Sequence, residues 1–162
     1  MNKESPSTKD RAFKAIERSL VITTWVFGVV LLSFLALLIF ENIVNGIQNR
    51  KFETTLNRII RISNAAVTYR DANGKLPSGS DPRQILLALS SYTKYKLDDV
   101  DGWGWPMRVF ISGDEIVIWS PGRDGKFRSS IPEHRADWQG FDDDLICVGY
   151  KFRIWPADMI RD

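Results

Sequence analysis

Apolar residues fill Leu20–Phe40 without a single charge, LVITTWVFGVVLLSFLALLIF, and the rest of the chain is arranged around that run. As a helix rising about 1.5 Å per residue, it matches the roughly 30 Å hydrocarbon core of a bilayer. It therefore predicts one membrane-spanning helix. A secretory signal would have a shorter apolar core and small residues at a cleavage site, whereas here Glu41 and Asn42 continue the helical pattern. The alternative is a buried core helix, which a domain of this size could hardly surround on all sides. Behind the run, Phe52, Leu56, Ile59, Ile60, Ala66 and Val67 recur at three- and four-residue intervals between Arg50, Lys51, Glu53, Arg58 and Arg61, the pattern of an amphipathic helix. No proline falls in residues 20–72, so the two stretches can form one long helix, broken at most near Asn45 and Gly46. Asn73 and Gly74, with Pro77 beyond, mark its end.

Asp81 followed by Pro82 starts a second, short helix: a carboxylate stands in the capping position and proline takes the first helical one. That helix carries Ile85, Leu86 and Leu89 and ends near Ser91. The period then changes to two. Met107–Ile111, a Ser112-Gly113-Asp114 turn, Glu115–Trp119 and later Leu145–Ile154 predict three strands, the first two a hairpin. A sheet so small needs the long helix against one face. The expected fold class is α+β, with a long N-terminal helix packed on a three-stranded antiparallel sheet.

The chain has 162 residues, a net charge of +2 and one cysteine, Cys147. Nothing in that charge argues for nucleic acid, and no intrachain disulfide is possible. Cys147, between Ile146 and Val148, reads as a core residue. Lys3, Lys9, Arg11, Lys14 and Arg18 precede the apolar run, against Arg50, Lys51 and Arg58 behind it, so the expected topology is single-pass with a cytoplasmic N-terminus. Residues 1–10, MNKESPSTKD, are polar, without apolar period, and are expected to be a disordered leader.

Residues 120–144, SPGRDGKFRSSIPEHRADWQGFDDD, connect the second and third strands. So long a connection in a small domain is usually functional or held by something. Asp124, Asp142, Asp143 and Asp144 bracket it, with Glu133 and Asp137 inside. Crowded carboxylates and no His or Cys cluster suit a hard cation such as Ca²⁺, and a solvated acidic turn is the alternative. The spacing is not that of an EF-hand, since counting from Asp124 places Arg135 where a bidentate Glu is required. His134 has no nucleophile in a recognisable motif, so no catalytic residue is expected. Trp103, Trp105, Trp119, Trp138 and Trp155 read as core material for a small sheet rather than as a ligand platform. The glycines lack any phosphate-cradling motif.

Four pieces in order resemble the major pseudopilin of bacterial type II secretion systems, a branch of the type IV pilin superfamily. They are AAVTYRDANGKLPSGSDPRQILLAL at residues 65–89, DGWGWP at 101–106, SPGRDG at 120–125 and DDDL at 142–145. The resemblance covers most of residues 13–150 and implies a pilin-like fold. It further implies a non-enzymatic subunit that packs by its N-terminal helix into a filament helping to drive folded proteins across the outer membrane. By matching position it implies calcium ligands at Asp124, Asp142 and Asp144, with Asp143 and Ser120 as weaker candidates. The segment between these elements is longer here than in the family and holds Ile131, Pro132, His134 and Trp138.

Family members are cut by prepilin peptidase after a Gly that precedes a Phe with Glu fifth, and the new N-terminus is methylated. Phe13-Lys14-Ala15-Ile16-Glu17 stands in that place, with Ala12 instead of Gly and with Lys14 and Arg18 in a segment the family keeps apolar. The resemblance implies processing between Ala12 and Phe13, and an assembly role for Glu17, paired with a neighbouring subunit's terminal ammonium; pairing of Glu17 with Arg18 or Lys14 is the alternative. The implied organisation is a leader at 1–12, a transmembrane and assembly helix at 13–40 and a pilin-like globular domain at 41–162 in the periplasm, anchored in the inner membrane. The implied partners are copies of the same chain, minor pseudopilins, the inner-membrane secretion platform and prepilin peptidase. The departures at Ala12, Lys14 and Arg18 suit a second expectation, a permanently anchored, non-polymerising pilin-like domain that binds a periplasmic ligand or partner.

Overall fold

A computed structural model of the chain describes residues 8–79, 81–133 and 136–155, and of these the side chains of 8–19, 21, 137 and 155 are not described. Helix α1 (Thr8–Asn73) runs without interruption, so the break allowed near Asn45 and Gly46 does not occur, and its first residues fall inside the expected leader. Residues 1–7 lie outside the described residues. Gly74 takes φ +73 directly after α1, and its N–H donates to the Arg70 carbonyl at 2.7 Å. That is the left-handed stop the Asn-Gly pair predicts. The chain divides into two units, Met1–Gly46 and Ile47–Asp162.

In the first unit α1 carries an apolar stretch that is long enough and apolar enough to cross a membrane, and none of it is buried by protein. Leu20, Trp25, Phe27, Leu32 and Phe40 are each more than half exposed. Within this stretch Thr24 and Ser33 return their hydroxyls to the carbonyls four residues back, at 2.9 Å each, so their polar groups are satisfied inside the helix.

The second unit is an α+β domain. Phe52, Leu56, Ile59, Ile62, Ala65 and Ala66 of α1 are buried on one stripe. Helix α2 (Pro82–Ser90) starts as its sequence predicts, with Asp81 accepting from the Arg83 N–H at 3.0 Å and Pro82 first in the helix. It adds Ile85, Leu86 and Leu89 to the same core. Strands β1 (Arg108–Ser112) and β2 (Glu115–Ser120) form the predicted hairpin, Ser112 opposite Glu115, with Gly113 at φ +60 in the turn.

The expected third strand, Leu145–Ile154, is two. β4 (Leu145–Val148) pairs antiparallel with β2, then Gly149 at φ +65 reverses the chain and β5 (Lys151–Trp155) pairs antiparallel with β4. Four antiparallel strands therefore replace three. A two-residue strand, β3 (Ala136–Asp137), lies parallel to β5, giving the order β1-β2-β4-β5-β3. Gly149 also ties the sheet to the helix: its N–H donates to the Ile116 carbonyl at 2.7 Å, and its carbonyl accepts from Ser63 at 2.5 Å.

The sheet is covered on both faces. Val109, Ile116, Ile118, Leu145 and Cys147 belong to the core shared with α1 and α2. Trp119, Ile146 and Ile154, on the alternate positions, form a second cluster with Phe127, Ile131, Ala136 and Trp138 of the 120–144 segment. The long connection between the second and third expected strands is thus the lid of the sheet's far face.

Candidate functional site at the acidic segment

The carboxylates that bracket residues 120–144 point to different partners. Asp142 meets Arg123 side-on, with Nε and Nη2 each 2.6 Å from one of its oxygens. That bidentate hydrogen bond holds the Asp142 carboxyl below the usual carboxylate range and raises the Arg123 guanidinium. Asp143 accepts from the Gln139 and Asp144 N–H groups at 3.1 Å, and the Arg128 guanidinium stands 3.5 Å from it. Asp124, exposed near the start of the segment, accepts from the Lys126 N–H two residues on, at 2.9 Å.

Asp144 is buried, 1% exposed. A single oxygen, Oδ2, accepts from the Trp119 indole N–H at 2.5 Å and from the Arg128 N–H at 2.8 Å. Burial raises its pKa above the ordinary value, and these two hydrogen bonds offset only part of that. Ser120, fully buried at the end of β2, donates its hydroxyl to Asp101 at 2.8 Å and accepts from the Gly122 N–H at 3.3 Å.

Asp101 is the residue that reading for charge clusters misses. Its Oδ1 accepts from the Trp103 and Trp105 N–H groups, both at 2.9 Å, while Oδ2 takes the Ser120 hydroxyl. The turn so formed docks on α1. Gly102 donates to Thr55 at 2.8 Å, Arg58 donates to the Val100 and Asp101 carbonyls, and the Trp103 indole donates to Gln48 at 2.8 Å. Trp105 then reaches the acidic segment, its indole on the Arg123 carbonyl at 3.1 Å and its ring so close over Gly125 that a Cβ there would sit 2.7 Å from it. The signal was present in the sequence: an Asp followed at once by Gly and then by apolar residues is the composition of a turn closed on the Asp side chain.

The structure thus sets Asp142, Asp143 and Asp144 at one end of the segment, holds Ser120 buried with Asp101, and leaves Asp124 exposed beside Arg123. Among the described residues, no group of three or more His, Cys, Asp or Glu side chains is placed to hold a metal ion. In this arrangement both oxygens of Asp142 are taken by Arg123, the Asp143 carboxylate faces Arg128, and Oδ2 of Asp144 is held by Trp119 and the Arg128 N–H. Trp119 is buried against Phe127, and Trp103 and Trp138 pack partly buried on Phe141 and Phe52, whereas Trp105, expected as core material, is 44% exposed. Ala12, Phe13 and Glu17 lie on the backbone of α1 with their side chains outside the described residues, as are His134 and residues 156–162. Comparison with protein-family models, with curated proteins and with solved structures finds no match to this chain.

Proposed function

We propose that this chain is a structural, non-enzymatic subunit of a type II secretion or related type IV filament apparatus, a pseudopilin-like protein that inserts and assembles through its N-terminal helix. The observation that carries the reading is α1 itself: one unbroken helix, Thr8–Asn73, apolar and unburied by protein over its membrane-length stretch and buried along one stripe from Phe52 onward as the spine of an α+β domain. A helix that builds both parts can carry a domain from a membrane into a helical bundle without unfolding either. The ordered sequence pieces at 65–89, 101–106, 120–125 and 142–145 support it. The partners in this reading are further copies of the chain, minor pseudopilins, an inner-membrane platform and a prepilin peptidase acting between Ala12 and Phe13, with the globular domain in the periplasm.

Intact-mass analysis of the membrane-extracted protein tests it. A chain beginning at a methylated Phe13, together with helix-to-helix cross-links from cysteines placed along residues 20–40, is the expected result. An unprocessed Met1 start with no ladder of cross-linked copies overturns it.

Ala12 in place of the family's glycine, and the charges of Lys14 and Arg18, favour a second reading, a permanently anchored monomeric domain that binds a partner outside the cytoplasm. The same cross-linking separates the two, since only an assembling subunit gives ladders.

A further inference from the structure

Arg123 and Arg128 each bond the far end of the 120–144 segment twice, once through the backbone and once through the side chain. The Arg123 N–H donates to the Phe141 carbonyl at 2.6 Å while its guanidinium takes both oxygens of the next residue, Asp142. The Arg128 N–H donates to Asp144 at 2.8 Å while its guanidinium lies 3.5 Å from the preceding residue, Asp143. Four consecutive residues, Phe141 to Asp144, are therefore gripped by two arginines that enter from the opposite end. Gly122 makes the approach possible: at φ +71, it passes so close that a Cβ would stand 2.4 Å from the Asp143 carbonyl oxygen. The Trp105 indole on the Arg123 carbonyl holds the first clamp from outside.

We infer that these two arginine clamps do for the segment what a divalent cation would otherwise do, closing it over the sheet's far face so that the segment folds, and the domain keeps its stability, without calcium. Crowded carboxylates need positive charge nearby, and here two permanently charged guanidinium groups supply it from within the chain. A calcium ion needs six to eight oxygens around one centre at about 2.3–2.6 Å. To bind here it would have to displace Arg123 from Asp142, and it would compete for Asp144 with two hydrogen bonds beneath the lid. Exposed ion pairs taken singly contribute little. The device depends on their coupling to backbone hydrogen bonds two residues or fewer away, which fixes both partners before the charges meet. The inference is independent of the filament reading and survives its failure.

The test is thermal melting of the full chain in detergent, followed by the near-ultraviolet signal of its tryptophans, in excess calcium and in excess chelator. The expected result is the same melting temperature in both for the unaltered chain. Arg123→Gln and Arg128→Gln are each expected to melt lower than the unaltered chain in chelator and to be cut faster by a protease within 120–144. A calcium-dependent rise in the melting temperature of the unaltered chain, abolished by Asp142→Asn, would overturn the inference. So would glutamine variants that melt and resist cleavage like the unaltered chain.

Discussion

The Trp119 indole and the Asp144 carboxylate meet at 2.5 Å beneath the lid of the sheet, joining β2 to the residue that leads into β4. Trp119 faces away from the α1 core, and Phe127 stacks edge-on against it at 5.4 Å while the Arg108 guanidinium lies over both rings. The cluster on the far face of the sheet thus includes one buried aromatic ring with a polar edge, and that edge needs an acceptor.

The acceptor gives the domain a signed pH response. Burial holds Asp144 above the ordinary carboxylate pKa, so between 3.8 and the raised value the folded chain binds more protons than the unfolded one. Its contribution to stability falls as pH rises through that window and is level above it. Asp98, held low chiefly by its hydrogen bond from Lys96, and Asp142, held low by Arg123, act oppositely: their stabilisation is present above 3.8 and is lost as pH falls through the lowered values. Asp144→Asn, whose carbonyl oxygen can replace Oδ2, should remove the first effect without loss at neutral pH. Asp144→Leu should cost on the order of 1–3 kcal/mol for each of the two donors left buried. Denaturant unfolding across the acid range reads both.

Asp101 should be less tolerant of change than any of the bracketing carboxylates. Asp101→Ala strips the acceptor from two backbone N–H groups and the Ser120 hydroxyl. A loss of about 1–3 kcal/mol per orphaned buried donor is expected, less than additive in total. Asp101→Asn keeps Oδ1 for the two amides and should be milder. The denaturant midpoint and the fluorescence of Trp103 and Trp105 report the change.

Two glycines give opposite outcomes for one substitution. A Cβ at Gly102 would lie 1.9 Å from the Lys51 carbonyl oxygen, so Gly102→Ala must push the docked turn off α1, at about 1–3 kcal/mol or more. At Gly46 a Cβ meets nothing within 4 Å, and Gly46→Ala within α1 should stabilise the helix by about 1 kcal/mol. Thermal melts of the pair against the unaltered chain decide it.

A charge at the middle of the apolar stretch should be felt only by the membrane. Val30 is 61% exposed and lies in the first unit. Val30→Arg is expected to cost about 3 kcal/mol in insertion and to leave the melting of the second unit unchanged. The fraction of chain retained in membranes after alkaline extraction measures it.

The helices were legible because their signals are local. Asn73-Gly74 ends α1 and Asp81-Pro82 starts α2 at the residues where the chemistry of caps places them. The first hairpin was legible for the same reason, with its turn between two alternating runs. The split of the last strand was harder, since Leu145–Ile154 alternates through Gly149, and only the left-handed backbone there shows that the alternation turns back on itself. The glycine inside that run was the available clue. β3 carries no signal of its own, for two residues have no period, and they pair only because β5 is brought alongside. At the acidic segment the sequence displays which charges crowd together. It does not display that Arg123 and Arg128 return to meet them, because that depends on Gly122 and Gly125 letting the backbone pass close to Asp143 and Trp105.

Cys147 lies on β4, 1% exposed, with its thiol pushed up to about 11, chiefly by burial. At neutral pH it is neither ionised nor within reach of a reagent until β4 leaves its neighbours. As the only cysteine in the chain, it is a built-in clock: the rate at which it is alkylated under native conditions measures how often the centre of the sheet opens, with no label to introduce and no second thiol to confuse the count.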